Sequence, residues 1–280
     1  MKKKIYVMVD MEGISGTIKT ADVDNTAAEY QRFRRQMTRD VNAAVAGAFD
    51  GGATEVLVND AHDSMTNILF EEIDPRVKLI SGRIKPMSMV AGLDDSFDGM
   101  IMVGAHAKAG STGIMAHTMY GVQISALFLN GVEVGEMAMN ASAAAGWGVP
   151  VIMISGDASA EREARATVDA DIEFAVVKED ITRWCAALLP PEQAEKAIRE
   201  AACRAVKALD VAKKPAVPAR TTYKLRFHSS AEAGSACLVP QIKRVDDRTV
   251  TLSSADPRAA YQLLCVAMTM GYAAFDRMYG

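Results

Sequence analysis

Acidic and histidine side chains follow three strand-like runs of apolar residues in this sequence. The runs are Ile5–Val9, Glu55–Val58 and Met100–Val103. The side chains that follow them are Asp10, Glu12, His62 and His106. Because the carboxyl ends of parallel strands lie along one edge of an open sheet, where ligands bind, we expect these four side chains to converge.

Carboxylates and imidazoles without thiolates favour a divalent ion such as Zn²⁺, with Mn²⁺ as the alternative, because they are borderline to hard donors. The group also contains more acidic ligands than one catalytic zinc usually takes. It therefore predicts two ions about 3.5–4 Å apart, with a bridging carboxylate and a hydroxide between them as the nucleophile. Asp10, at the exit of the first strand, is the predicted bridge.

Each candidate also has an ordinary structural interpretation. An Asp at the end of a strand, such as Asp10 or Asp60, is common as a helix N-cap. Glu12 precedes a glycine and could be a solvated turn residue, and a single histidine is more often structural than a ligand. The chain has only four histidines, however, and two of them follow different strands at the same edge, which favours a metal site. His228, on a predicted strand of the C-terminal part, is interpreted as structural.

Two later segments extend the candidate site. His117 lies in a loop rich in Gly, Ser and Thr, where a mobile acid or an oxyanion donor beside a metal would belong, although a plain turn is the alternative. Asn130-Gly131 predicts a hairpin turn. It is followed by Glu133 and by Glu136, which begins a helical pattern, and position alone leaves both as candidate ligands.

The apolar runs alternate with longer helical patterns, which predicts an α/β protein with a mostly parallel sheet flanked by helices. Further strands of this sheet are predicted at Val77–Ile80, Val149–Ile154 and Ile172–Val177. Helices are predicted at Ala27–Phe49, which ends before Gly51-Gly52, and at Pro191–Leu209.

A proline-bearing connector at residues 213–218 predicts a domain boundary. Beyond the connector the pattern predicts two strands and a helix, at Thr222–Phe227, Thr249–Leu252 and Pro257–Met278. The predicted organisation is therefore an α/β metal-binding catalytic domain at residues 1–212 and a smaller α+β domain at residues 213–280.

Composition excludes several classes of protein. Hydrophobic residues make up 50% of the chain and charged residues 24%, which is typical of a folded globular protein. The net charge of −4 argues against a nucleic-acid or anionic-lipid partner. We expect no signal peptide and no membrane span, because the apolar runs are too short for either. The four cysteines form no CxxC pair and are predicted to be reduced core thiols of a cytoplasmic protein.

Motifs of other enzyme classes are absent. The residues after the first strand, Glu12-Gly13-Ile14-Ser15-Gly16, do not form GxGxxG, and GxxxxGK[ST] occurs nowhere. Dinucleotide and P-loop sites therefore lack their phosphate cradle. No GxSxG element marks a serine nucleophile.

Five segments, in their order and spacing, resemble the DppA-type family of zinc-dependent D-aminopeptidases. They are Val9-Asp10-Met11-Glu12-Gly13, Val58-Asn59-Asp60-Ala61-His62, Gly104-Ala105-His106-Ala107, Met115-Ala116-His117 and Val134-Gly135-Glu136. The resemblance is strong over about the first 160 residues and weak beyond them. One departure is Met8, which stands where the family motif usually has Ser. We expect Met8 to point into the core or away from the neighbours of Asp10, and to leave metal binding intact while at most shifting a hydrogen bond to a ligand.

The resemblance implies a dinuclear zinc peptidase that releases N-terminal D-amino acids, of the D-Ala type, from short peptides. It implies that Asp10 bridges the two ions, that Glu12 and His62 complete one site, and that His106 and Glu136 complete the other. His117 would be the nearby catalytic group. The implied assembly is a large ring-shaped homo-oligomer, a decamer, whose sites face an inner cavity.

A two-metal site of carboxylates and histidines also serves other chemistry. A metal-dependent phosphoesterase or amidohydrolase is the first alternative. A non-catalytic metal-dependent binding protein is the second.

Overall fold

The computed structural model describes residues 2–211 and 214–276, which fold around two β-sheets. The strands are β1 (Lys4–Val9), β2 (Glu55–Asp60), β3 (Lys78–Ile80), β4 (Gly99–Ala105), β5 (Ile124–Leu129), β6 (Val132–Val134), β7 (Val151–Asp157), β8 (Glu173–Thr182), β9 (Cys185–Leu188), β10 (Thr221–Phe227), β11 (Lys243–Arg244) and β12 (Thr249–Ser254). The helices are α1 (Thr20–Val23), α2 (Tyr30–Asp50), α3 (Glu136–Ala145), α4 (Ala158–Thr167), α5 (Pro191–Lys207), α6 (Ser230–Ala236) and α7 (Pro257–Tyr272).

The larger sheet has the strand order β3-β2-β1-β4-β7-β8-β9. All neighbouring pairs in it are parallel except β8 and β9, which are antiparallel. The predicted mostly parallel α/β fold is therefore confirmed. From β1 the chain builds outward in one direction through β2 and in the other through β4 and β7. The carboxyl ends of β1, β2 and β4 consequently lie side by side where the strand order reverses, which is the usual position of a ligand crevice.

Strand β1 is buried on both faces. Ile5, Val7 and Val9 pack in the apolar cluster that contains residues of α2 and α5. Tyr6 and Met8 pack in the opposite cluster, with residues of α3, β10 and α7. Burial on both faces explains why β1 is a continuous apolar run, as is typical of a parallel strand at the centre of a sheet. Met8 is 2% exposed and lies in the core as expected.

The smaller sheet is antiparallel and has the order β11-β12-β10-β5-β6. The hairpin between β5 and β6 turns at Asn130 and Gly131, which both have positive φ, and this confirms the predicted turn. Strands β5 and β6 precede the connector and pair, through β5, with β10 beyond it. Part of the predicted boundary, residues 212 and 213, lies outside the described residues. The division into two domains stays a prediction, and the smaller sheet contains strands from both sides of it.

Every helix and strand predicted from the sequence is present in the structure, with differences at some ends. Strand β8 continues to Thr182, beyond the predicted end at Val177, because its last residues pair with β9 in a hairpin that the sequence pattern did not reveal. Helix α7 ends at Tyr272, so its predicted continuation is wrong over residues 273–276, while residues 277 and 278 of the predicted helix lie outside the described part. Among the described residues, no helix is long and apolar enough to cross a membrane.

The cysteines differ from the prediction. All four are free thiols, but Cys185 is exposed and the other three are only partly buried. Cys185 is exposed because it begins β9, the last strand at one edge of the larger sheet. The prediction that all four lie in the core is therefore wrong.

Gly13 provides a test of the packing between the end of β1 and β4. A Cβ atom on Gly13 would lie 2.0 Å from the carbonyl oxygen of Ala105. Gly13→Ala should therefore lower the free energy of unfolding by about 1–3 kcal/mol or more, the usual cost of overpacking, measured by denaturant titration. Gly234→Ala in α6 is the matched control, because its Cβ would meet only Arg244 Nη2 at 3.9 Å. It should leave stability unchanged or raise it. Equal stability of the two variants would contradict the close approach.

Candidate metal centre

The carboxyl edge of the larger sheet brings the five predicted ligands together. His62 Nε2 lies 3.3 Å from Glu12 Oε1. His106 Nε2 lies 3.4 Å from Asp10 Oδ2 and 3.3 Å from Glu136 Oε1. Because β1 is flanked by β2 and β4, the carboxylates after β1 stand between the two histidines. Glu136 joins the group as the first residue of α3.

Glu133, the other glutamate left open by the sequence, does not enter the cluster. Its side chain is exposed and forms an ion pair with Lys108 at 2.8 Å. The structure thus brings Glu136, rather than Glu133, to the predicted site. His228 is exposed just after β10, and its backbone N–H donates to the carbonyl of Gln123.

The donor set fits a metal such as zinc. Tetrahedral ligands with bonds of 2.0–2.2 Å lie roughly 3.4 Å apart, which matches the spacing of the facing atoms. His106 Nδ1 contacts the carbonyl of Ala107 at 3.0 Å, an arrangement that leaves Nε2 as the free donor. That Nε2 and Glu12 Oε2 are buried and have no hydrogen-bond partner within residues 2–211 and 214–276. In this described part of the chain, two groups of side chains have ligand atoms within 4.8 Å of one another, and His106 belongs to both: Asp10, Glu12 and His106, and His106, His117 and Glu136.

Burial and mutual charge shift the pKa values of these groups. Burial, with a further contribution from Glu12, raises the pKa of Asp10 to about 6. Burial also opposes the charge of Glu12, but the neighbouring His62 holds the pKa of Glu12 well below its usual value. Burial opposes a charge on His62, yet the Glu12 carboxylate raises the pKa of His62 to about 10. The carboxylates therefore demand positive charge nearby, which protons or metal ions can supply.

A buried lysine fixes the turn that carries Glu12. Lys178, on β8, is 1% exposed, and its Nζ donates to the carbonyls of Glu12 at 2.6 Å, Thr17 at 2.8 Å and Ile14 at 3.0 Å. Burial lowers its pKa to about 8. Sequence reasoning missed this residue, because one lysine directly after the predicted strand Ile172–Val177 gives no sign of the distant turn that it contacts.

Asp60 holds the loop that carries His62. Its carboxylate accepts hydrogen bonds from the backbone N–H of Ile68 at 2.8 Å and from Asn67 Nδ2, also at 2.8 Å. Asn67 Nδ2 lies 2.7 Å from the His62 carbonyl as well. Asp60 therefore stabilises a loop, neither capping a helix nor joining the candidate ligands.

His117 lies beside the cluster but farther from its carboxylates. Its ring stacks on that of His106, with centroids 4.2 Å apart and planes 9° apart. Its Nε2 lies 3.9 Å from Glu12 Oε1 and 4.0 Å from Glu136 Oε1. The side chain is 19% exposed, whereas that of Glu12 is 9% exposed. Of the six candidates, His117 is the one that best reaches solvent.

The loop around His117 is held at several points. Asp157, at the end of β7, accepts a hydrogen bond from the backbone N–H of Ile114 at 2.7 Å. The N–H of Met119 donates to Glu136 Oε1 at 2.6 Å. Met115 and Met119, on either side of His117, have φ values of 50° and 56°, a left-handed conformation that is uncommon for side chains of this size. These contacts keep His117 over the strand ends.

The parallel sheet and the buried donors at its carboxyl edge define a metal-dependent α/β enzyme. The chain belongs to the peptidase family M55, described as D-aminopeptidase, whose model matches residues 3–266. The DppA-type resemblance of the sequence motifs is thereby confirmed.

A similar sequence and a similar solved structure show how far the likeness extends. A D-aminopeptidase from Bacillus subtilis (strain 168) is 38% identical over 265 residues, which cover 94% of this chain and 96% of that protein. The solved structure of the Zn-dependent D-aminopeptidase DppA from Bacillus subtilis, described as a self-compartmentalizing protease, matches with a TM-score of 0.93 at 36% identity. The match covers 99% of both chains, so the likeness includes the C-terminal part where the sequence motifs were weak.

Metal binding should release protons. Burial opposes the charged forms of His62 and His106, but Glu12 raises the pKa of His62 to about 10 and Glu136 raises that of His106 well above its usual value, so the metal-free site favours protonated imidazoles. An imidazole must be neutral to bind a metal, so zinc binding displaces these protons and the apparent affinity should rise with pH toward about 10.

Calorimetric titration of the metal-free protein at pH 7, in two buffers of different ionisation enthalpy, counts the released protons. His62→Ala should release fewer protons than the wild type, while the control His228→Ala should release the same number. Zinc binding with no proton release in the wild type would contradict the charge state described for the site.

Proposed function

We propose that this protein is a dinuclear zinc aminopeptidase that removes N-terminal D-amino acids, of the D-Ala type, from short peptides. The observation that carries the proposal is the convergence of three carboxylates and two histidines, with facing atoms 3.3–3.4 Å apart, at the carboxyl edge of the sheet. Membership of the D-aminopeptidase family and the zinc dependence of the structurally similar Bacillus enzyme support it.

Each ion has its own pair of ligands in this proposal. Glu12 and His62, whose facing atoms are 3.3 Å apart, hold one ion. His106 and Glu136, also 3.3 Å apart, hold the other. Asp10 would hold both ions, because it follows β1 between the two histidines; its Oδ2 faces His106 Nε2 at 3.4 Å, and its Oδ1 accepts a hydrogen bond from the backbone N–H of Met11. Zinc, or Mn²⁺ in its place, would lower the pKa of a bound water and polarise the scissile carbonyl.

His117 is the proposed catalytic group among the protein's own side chains. Its Nδ1 lies 2.9 Å from the carbonyl of Met115, an arrangement that places a proton on Nδ1 and turns Nε2 toward the cluster. From there Nε2, when protonated, donates a hydrogen bond to the developing oxyanion or a proton to the leaving amine. The other five side chains are nearly enclosed, which limits water access and favours a chain terminus as the substrate.

The proposed assembly is a large ring-shaped homo-oligomer, a decamer in the cytoplasm, with its sites on an inner cavity. A peptidase site at an open strand edge needs a barrier against folded proteins, and a closed ring provides one. The self-compartmentalizing description of the similar structure, together with the TM-score of 0.93, supports this arrangement.

A substrate panel tests the activity directly. With added Zn²⁺ or Mn²⁺, the protein should hydrolyse D-Ala-D-Ala and leave L-Ala-L-Ala and p-nitrophenyl phosphate intact. Release of free amines measures hydrolysis of the two peptides, and absorbance of p-nitrophenolate measures hydrolysis of the phosphate ester. Prior removal of metal with a chelator should abolish turnover. Preferential hydrolysis of the phosphate ester would favour the phosphoesterase alternative. Metal binding without any turnover would favour a binding protein.

His117 can be separated from the ligands by kinetics and metal content. His117→Ala should lower kcat and kcat/KM together by about 10²–10³-fold, the usual loss for one positioned donor, and should leave metal content unchanged. Asp10→Ala should lose both ions, because its carboxylate contacts each and offsets their repulsion.

The exposed His228→Ala is the control and should match the wild type in both measurements. For all three variants, elemental analysis measures the metal content and initial rates measure turnover. Metal loss in His117→Ala would make His117 a ligand, and wild-type turnover in that variant would remove it from catalysis.

A further inference from the structure

Glu163, on α4, connects two segments that carry candidate ligands. Its Oε2 accepts a hydrogen bond from the backbone N–H of Lys108 at 2.7 Å, and its Oε1 accepts one from the backbone N–H of Gly135 at 2.9 Å. Lys108 is two residues after His106, and Gly135 directly precedes Glu136. One carboxylate therefore fastens together the two backbone segments whose side chains face each other in the cluster.

The Glu163 carboxylate is bound by backbone N–H groups and not by a basic side chain. Among residues 2–211 and 214–276, no basic side chain lies within 4.0 Å of its carboxylate. Lys108 instead extends its Nζ to Glu133 at 2.8 Å. Glu161, on the same helix, forms an ordinary ion pair with Arg165 at 2.8 Å. Burial raises the pKa of Glu163, so its position is unfavourable for a carboxylate unless the two backbone donors compensate.

The packing around Gly135 shows that the approach is tight. A Cβ atom at this position would lie 2.5 Å from Glu163 Oε1 and 2.9 Å from the Cβ of Lys108. Only a glycine allows the Glu163 carboxylate and the Lys108 backbone to reach this segment together. The contact between α4 and the two segments therefore depends on the residue types at both ends.

We propose that Glu163 is a positioning residue that fixes His106 and Glu136 relative to each other and thereby sets the affinity of the ion that these two side chains hold. The assignment of that ion rests on the proposed function. Lys178 makes the corresponding contact on the other side of the centre, at the backbone of Glu12. Each ion thus has its own charged side chain that holds a ligand-bearing backbone without touching the metal.

Glu163→Gln tests this role with little change in volume. The glutamine side chain has one carbonyl oxygen, which can accept from one backbone N–H. Its NH2 group cannot accept a hydrogen bond from the second backbone N–H. We expect the affinity of one ion to fall by about 10- to 100-fold, the usual effect of losing a residue that orients a metal ligand, while the other ion keeps its affinity. Zinc titration against a competing chelator measures both affinities. Glu161→Gln, on the same helix, is the control and should bind zinc as the wild type does.

The visible spectrum of bound Co²⁺ identifies which ion is weakened. At limiting Co²⁺, Glu163→Gln should give the spectrum of His106→Ala, which keeps the Glu12 and His62 ion, and should differ from that of His62→Ala. Glu163→Asp keeps the charge but withdraws the carboxylate by one methylene, so it should show the same selective loss. If Glu163→Gln does not fold, Glu163→Asp carries the test alone.

Three results would overturn the inference: unchanged affinity for both ions, equal weakening of both, or wild-type affinity in Glu163→Asp. Failure of the proposed function looks different, because the wild type itself would then bind fewer than two ions or hydrolyse no D-peptide. If the wild type binds a single ion, the inference is still decided by whether Glu163→Gln, compared with Glu161→Gln, weakens that ion.

Discussion

The structure depends on the balance of charge among three buried carboxylates, those of Asp10, Glu12 and Glu136. Like charges this close repel strongly where water cannot screen them, so the cluster is stable only with positive charge among its members. Protons on His62 and His106 can provide that charge, and so can divalent cations on the same atoms. Metal binding therefore offsets the electrostatic free energy that is needed to bring these groups together. The metal affinity consequently depends on how rigidly the surrounding backbone holds them.

That rigidity comes from the sheet and from charged side chains outside the cluster. Strand β1 is held on both sides along its length, so Asp10 has little freedom. The turn that follows β1 has no regular secondary structure. Lys178 holds this turn in place by donating hydrogen bonds to several of its carbonyls. Asp60 does the same for the His62 loop through Asn67 and Ile68. Rigid elements thus set the position of the site, while buried charges hold the loops that complete it.

The sequence predicts the parallel part of the larger sheet and the convergence of Asp10, Glu12, His62 and His106 at its edge. It can do so because strand periodicity and strand ends are local patterns, and because parallel strands expose their carboxyl ends together. Position could not choose between Glu133 and Glu136, and the family resemblance was needed for that choice. Lys178 and Glu163 were missed because each contacts backbone that is distant in the chain. The pairing of β5 with β10 was missed for the same reason, since register between remote segments leaves no periodic trace. The β8–β9 hairpin is local, and it was missed because Arg183 and Trp184, the two residues between its strands, are not typical of a hairpin turn.

The methionines on either side of His117 affect the stability of the protein and the order of this loop in opposite directions. A left-handed backbone at Met115 and at Met119 costs on the order of 1–3 kcal/mol each, which glycine would avoid. Glycine would also free the loop to move, and the amide of Met119 would no longer be held where it meets Glu136. The two methionines therefore keep His117 in an ordered loop at the expense of some global stability.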